Sequence, residues 1–212
     1  MHLHCRATAA ERMSSFMQFK NKRWDARFLT ELAVLTAIEL VLELTGFGYL
    51  HFGVVEFTIM QVPVIIGAIV LGPVGGGILG TVFGLTSFFQ CFGKSMFGST
   101  LFAVSPIGMF AVCVLPRLAM GLVCAFFFRL VRNRKQFMMC AFSGLIGSLS
   151  NTVFFMGLLL LVFGKSDYLL SMGSAKPLQF VVGMVGIQGI AEAIICCVLG
   201  ASISYALLKA RK

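Results

Sequence analysis

Long apolar segments recur along the whole chain, and they restrict its fold more than any other feature of the sequence. A helix that crosses a lipid bilayer needs about 20 mostly apolar residues. Because the runs are continuous and not alternating, they favour helices over the strands of a membrane β-barrel. Six spans fit these segments, at residues 28–44, 57–71, 74–92, 106–131, 137–163 and 178–208.

The composition supports the same fold class. Of 212 residues, 58% are hydrophobic and 12% are charged, whereas soluble domains carry about 25% charged residues. We therefore expect an all-α integral membrane protein, with a polar leader at 1–27 and a compact bundle of six transmembrane helices at 28–212. The leader has no apolar core and no small-residue cleavage site of a signal peptide, so we expect it to stay in the cytoplasm.

The positive charges separate by loop. Three lie in the loops that a six-span bundle puts on one side of the membrane, namely Lys94, Lys165 and Lys176. Thirteen lie in the leader, the loop between the fourth and fifth spans and the tail: Arg6, Arg12, Lys20, Lys22, Arg23, Arg27, Arg129, Arg132, Arg134, Lys135, Lys209, Arg211 and Lys212. Since basic loops remain inside the cell, both termini are predicted to face the cytoplasm. The protein is then a multi-pass protein of the cell membrane. The net charge of +9 then reflects membrane orientation and not a nucleic-acid partner.

Glycine and proline mark several turns and helix surfaces. Gly72 and Pro73 predict a tight turn between the second and third spans, and Ser105 before Pro106 predicts a helix N-cap. Pro116 predicts a kink inside the fourth span. The third span contains a formal GxGxxG, but it lacks the preceding strand of a dinucleotide site. The repeat of Gly76, Gly80 and Gly84 instead predicts a smooth stripe for close helix packing.

The first span carries two distinct faces. Ala33 and Ala37 form an A-x-x-x-A pair, a spacing that lets another helix approach closely. Glu39 and Glu43 lie on another face of the same helix, about 120° around its axis from the alanine pair. One face can therefore contact a partner while the other contributes to a polar interior.

Polar groups inside the spans are the candidate binding residues, because ionisable groups in a membrane are costly and are usually retained for function. The candidates for substrate binding are Arg117, Asn151, Gln188, Glu192, Gln61 and Gln90. Arg117 needs an acid, a carbonyl cluster or an anionic ligand. An internal ion pair with Glu192 and a binding cavity are both compatible with the sequence.

The sequence indicates neither a metal site nor an enzyme. Its seven cysteines have no CxxC or Cys/His spacing, and no HExxH or GxSxG motif occurs. We expect no metal and no cofactor. A small membrane enzyme and a membrane scaffold remain the alternatives from other functional classes.

Several segments together resemble the S-components, the substrate-binding subunits of energy-coupling factor (ECF) vitamin transporters. The most similar is FTIMQVPVIIGAIVLGPVGGGILGTVFGLTSF at 57–88, which resembles the pantothenate-specific members. It is followed in the family's order by FAVSPIG at 102–108, LPRLAMG at 115–121, GSLSNTVFFMGLLLL at 147–161 and GIQGIAEAI at 186–194. One position departs: helix 6 of those members often reads GINGIIEAI, and Gln188 stands here in place of the asparagine.

The resemblance implies a six-helix subunit that binds a small vitamin from outside, with pantothenate favoured over another vitamin or precursor such as folate, riboflavin or a pyridoxine-like compound. It implies a transmembrane coupling subunit and two cytoplasmic ATPases as partners, with Ala33 and Ala37 facing the coupling subunit. Arg117 would then pair with the carboxylate of pantothenate. Asn151 and Gln188 would bind its amide and hydroxyls, and Glu192 would accept from a hydroxyl.

Overall fold

The computed structural model describes residues 25–46, 48–52, 55–92, 96–131, 136–164 and 189–210. The chain divides into two compact units, 1–31 and 32–212. In the described part of the first unit, Arg27 Nε donates to Glu31 Oε1 at 3.1 Å, one helical turn away. The predicted leader, apart from residues 25–27, lies outside the described residues.

The described chain consists of helices and one short hairpin. In chain order these are α1 (Ala26–Thr45), β1 (Tyr49–Phe52), β2 (Val55–Thr58), α2 (Gln61–Val70), α3 (Pro73–Gln90), α4 (Met96–Val104), α5 (Pro106–Leu130), α6 (Gln136–Phe163) and α7 (Gly189–Ala210). The predicted helical class is confirmed. By length and composition, α5, α6 and α7 are long and apolar enough to cross a membrane.

The hairpin was not predicted. The second predicted span starts at residue 57, but 55–58 form β2, which pairs antiparallel with β1 so that Tyr49 lies opposite Thr58. The helix starts only at Gln61. A short apolar run with β-branched and aromatic residues can form either a strand or a helix, and pairing with β1 satisfies its backbone as a strand.

Helix α2 is short and central. Its ten residues are all buried, and ten helical residues extend only about 15 Å, half the thickness of a bilayer core. A helix that is apolar all round packs inside a protein. Val64 and Ile65 of α2 accordingly form one apolar core with Leu79 and Phe83 of α3.

Two other boundaries differ from prediction. Helix α4 lies in a stretch that the sequence predicts to be a loop between the third and fourth spans. The sixth span was predicted from 178, and the described helix begins at Gly189, while 178–188 lie outside the described residues.

The predicted turn and cap signals are present. Gly72 has φ +84°, a conformation that glycine adopts without steric cost, directly before Pro73 starts α3. Ser105 Oγ accepts from Gly108 N at 3.2 Å, with Pro106 as the first residue of α5.

The glycine stripe of α3 packs on the backbone of α5. A Cβ at Gly76 would lie 2.7 Å from Gly121 O, and a Cβ at Gly84 would lie 2.7 Å from Val114 Cα. A Cβ at Gly80 would overlap the carbonyl of Arg117. The close packing predicted from the glycine repeat is therefore confirmed, and it determines the position of Arg117 against α3.

Large apolar side chains cover much of the outer surface of the helices. Ile107 of α5 is 85% exposed, and Leu161 of α6 is 83% exposed. Extensive exposed apolar surface is unusual on soluble monomers and typical of surfaces that contact lipid or protein.

Candidate functional site

A buried carboxylate connects α7 to the start of α2. Glu192 Oε2 accepts from Gln61 Nε2 at 2.6 Å, and Glu192 Oε1 accepts from the backbone N–H of Thr58 at 3.1 Å. Cys196 Sγ lies 3.9 Å from Gln61 Oε1 as a weak donor. Both Gln61 and Glu192 are buried. Because a buried acid is costly without hydrogen-bond donors, this network stabilises the junction of hairpin, α2 and α7.

The backbone around this network is irregular. Helix α7 contains a π-helical turn at Cys196–Gly200, and such turns are frequent at functional sites. Gly144 of α6 approaches this turn so closely that a Cβ there would lie 2.9 Å from Cys196 O. Helix α6 therefore lies directly against the part of α7 that carries the network.

Asn151 lies on the same side of α6. It is buried, and its Oδ1 has no hydrogen-bond partner among the described residues. A Cβ at Gly189 would lie 3.0 Å from the Thr152 side chain, so Asn151 is level with the described start of α7. Gln188, the predicted neighbour of Asn151, lies outside the described residues.

Arg117 occupies the interface of α3, α5 and α6. Its Nη1 donates to Val112 O at 2.9 Å. Its guanidinium carbon lies 5.5 Å from the centroid of the Phe83 ring and 4.9 Å from that of Phe155. Its Nε is buried and, within the described chain, has no hydrogen-bond partner. Phe155 is one helical turn from Asn151 on α6. The two predicted binding residues, Arg117 and Asn151, therefore lie near the same stretch of α6.

The ion pair between Arg117 and Glu192 that the sequence left open is not formed in the described structure. Glu192 contacts Gln61 and Thr58, while Arg117 contacts a carbonyl and two rings. The candidates thus fall into separate groups: Gln61 with Glu192, and Arg117 near Asn151.

Gln90 belongs to a third polar group. Its Nε2 donates to Glu43 Oε1, which joins the C-terminal ends of α3 and α1. One turn before Glu43, Glu39 is fully buried, and neither of its oxygens has a hydrogen-bond partner in the described chain. The sequence predicts the two acids as a polar face of the first span, and the structure adds that Glu43 contacts Gln90. The feature of the sequence that indicates this group is the four-residue spacing of the two acids, on a different face of the helix from the alanine pair.

The outer face of α1 carries the alanine pair. Ala33 and Ala37 are exposed, whereas Leu35, Glu39 and Glu43 are buried. The two-faced character predicted for the first span is therefore present in the structure.

The long apolar helices and their exposed apolar outer surface are typical of a membrane protein. The family model for the substrate-specific component of ECF transporters matches residues 27–204, and the chain belongs to this family. The function class is therefore a substrate-binding transporter subunit and not an enzyme.

A curated relative adds detail. The chain is 31% identical over 205 residues to the pantothenic acid transporter PanT of Lactococcus lactis subsp. cremoris (strain MG1363). The alignment covers 90% of this chain and 98% of that protein. The similarity thus extends over nearly the whole relative.

Proposed function

We propose that the chain is the pantothenate-binding subunit of an ECF importer. The observation that carries this proposal is Arg117, a cation inside the bundle with an unmet Nε donor between two aromatic rings. The name of the Lactococcus relative supports pantothenate as the ligand. Pantothenate offers a carboxylate for an arginine, hydroxyls and an amide for Asn151 or Gln188, and a dimethyl group for apolar walls.

The test compares pantothenate with the analogue whose carboxylate is reduced to an alcohol. Removing Arg117 by Arg117→Ala should weaken pantothenate binding about 10- to 100-fold, because a charge-assisted pair is lost. Arg117→Lys should weaken pantothenate binding less, since the charge stays but the bidentate geometry is lost. Isothermal titration on the purified protein measures both ligands.

The alcohol should bind wild type poorly and lose little more in Arg117→Ala, because the pair is already absent. Arg129→Lys is the control for the exchange of arginine by lysine, because Arg129 lies in the last turn of the same helix. It should leave the affinities for pantothenate and for the alcohol unchanged. Equal losses for acid and alcohol in Arg117→Ala would make Arg117 a structural residue and refute its role.

We further propose six membrane spans with both termini in the cytoplasm of a multi-pass cell-membrane protein. The support is the distribution of thirteen basic residues against three across alternating loops. Cysteines introduced at Lys165 and at Arg134 are treated with an impermeant thiol reagent from outside the cell, and only the cysteine at position 165 should be labelled. Labelling at Arg134 without labelling at Lys165 would contradict this topology.

The partners that we propose are a transmembrane coupling subunit and two ATPases, as the family implies. Ala33 and Ala37 are small and exposed on α1, which suits close approach by another helix. The chain would deliver bound vitamin to that complex and would bind no nucleotide itself.

A further inference from the structure

Pro116 changes the hydrogen bonding of α5 immediately before Arg117. In a helix, the carbonyl of residue 112 accepts from the amide of residue 116. Proline has no amide hydrogen, so Val112 O loses that donor, although α5 continues to Leu130. The structure puts Arg117 Nη1 2.9 Å from this same oxygen. The side chain of Arg117 thus replaces the donor that Pro116 lacks.

Two aromatic rings fix the rest of the guanidinium. Phe83 reaches it from α3 and Phe155 from α6, with ring centroids 5.5 and 4.9 Å from the guanidinium carbon. Both distances are within the range of cation–π attraction. One carbonyl and two rings, on three helices, therefore hold the group.

The contact to Val112 leaves one defined edge of the guanidinium available. The guanidinium offers paired donors on its Nη1–Nη2 edge and on its Nε–Nη2 edge, and the second of these leaves out Nη1, which contacts Val112 O. Nε is buried and has no partner within the described chain, and a buried donor without an acceptor is costly. The Nε–Nη2 edge is a planar fork that matches the two oxygens of a carboxylate.

We propose that Pro116 is a positioning residue for substrate recognition. By releasing the carbonyl of Val112, it anchors Nη1 and turns the Nε–Nη2 edge of Arg117 toward the substrate carboxylate, which binds side-on between Phe83 and Phe155. This inference rests on the role proposed for Arg117. It adds the edge that is used, the two rings and the reason for a proline at this position.

The variant Pro116→Ala tests the proposal on the full-length protein in detergent. Alanine restores an amide that bonds Val112 O and competes with Nη1, so Arg117 loses its anchor. Pantothenate affinity should fall about tenfold, while the affinity for the alcohol analogue should hardly change. Thermal stability of the ligand-free protein should stay equal or rise, because alanine is the better helix former.

A purely structural role for Pro116 gives another pattern. If Pro116 has only a structural role, Pro116→Ala changes the thermal stability, or it changes the affinities for acid and alcohol by the same factor. Either result, without a selective loss of affinity for the acid, overturns the proposal. In an Arg117→Ala background, Pro116→Ala should no longer change the preference for the acid.

A second variant covers the case that Pro116→Ala does not fold. Phe155→Leu leaves the Val112 contact in place but removes one ring, and it should reduce acid affinity more than alcohol affinity; an equal reduction would count against the proposed clamp. If Arg117→Ala shows no acid-selective loss, the role proposed for Arg117 is refuted. If Arg117→Ala shows that loss but Pro116→Ala does not, only the positioning role of Pro116 is refuted.

Discussion

At the scale of residues, buried hydrogen bonds join parts of the chain that are far apart in the sequence. Gln61 and Glu192 are 131 positions apart and form a hydrogen bond of 2.6 Å. Nothing in local spacing indicates this pair, since it depends on how α2 and α7 pack. Arg117 could be recognised as needing a partner, yet the partner is the carbonyl four residues before Pro116 and not an acid.

The Gln61–Glu192 network should be important for stability. In Glu192→Leu, the amide of Gln61 and the backbone N–H of Thr58 lose their buried acceptor, and each such loss costs about 1–3 kcal/mol. We expect a clear drop in the thermal unfolding midpoint in detergent. The double variant Gln61→Leu/Glu192→Leu should be destabilised by less than the sum of the single variants, because two partners disappear together.

Glu39→Leu is the matched control for that experiment. Glu39 is also a fully buried acid, but its oxygens accept no hydrogen bond from the described residues. Replacing a buried acid without donors by an apolar residue of similar volume should preserve or raise the midpoint. A drop in Glu39→Leu as large as that in Glu192→Leu would show that the loss reflects the leucine and not the network.

At the scale of elements, the long helices follow the apolar runs closely, and the errors occur where runs are short. Predicted spans at 106–131 and 137–163 correspond to Pro106–Leu130 and Gln136–Phe163. The segment 55–58 is a strand because its pairing with β1 overrides a helical reading of the run. Helix α4 was missed because its nine residues are far too few for a span and no charge pattern marks them.

The glycine stripe allows a direct comparison within one helix. Gly84→Ala would put a Cβ 2.7 Å from the backbone Cα of Val114, and overpacking of this kind costs about 1–3 kcal/mol. At Gly77, the nearest atom to a Cβ is Leu122 Cδ2 at 3.6 Å, an ordinary contact. Gly77→Ala should therefore be neutral or stabilising by up to about 1 kcal/mol, the gain in helix propensity.

Thermal unfolding of both variants in the same detergent measures this difference. Gly84→Ala should lower the midpoint and Gly77→Ala should not. If both alanines lower it equally, the loss does not come from the close contact of Gly84 with α5, and the stripe is not what brings α3 and α5 together.

At the scale of the whole molecule, the sequence defines the class and leaves the interior arrangement open. Apolar length predicts helices, and the quoted motifs predict the family that the match over 27–204 establishes. The polar groups divide among three helix junctions, and no pattern along the chain predicts that division. The exposed alanine face of α1 was predictable because helical geometry alone separates it from Glu39 and Glu43.

That face leads to a prediction about assembly. Ala37→Trp adds an indole where close approach of a coupling-subunit helix requires a small side chain. The indole projects from the exposed side of α1, away from the buried polar groups, so the pantothenate dissociation constant should remain unchanged. Recovery of the coupling subunit with the tagged chain from membranes should fall about tenfold or more, the equivalent of about 1.4 kcal/mol or more of lost affinity.

Val153→Trp on α6 is the control, since Val153 is 67% exposed and also lies on an outer apolar surface. Both tryptophan variants should insert and fold, and only Ala37→Trp should lose its partner. Normal assembly in Ala37→Trp would move the docking surface to another face of the bundle. Loss of assembly together with loss of pantothenate binding would mean that the indole disturbs the fold, because a surface for docking alone has no direct contact with the vitamin.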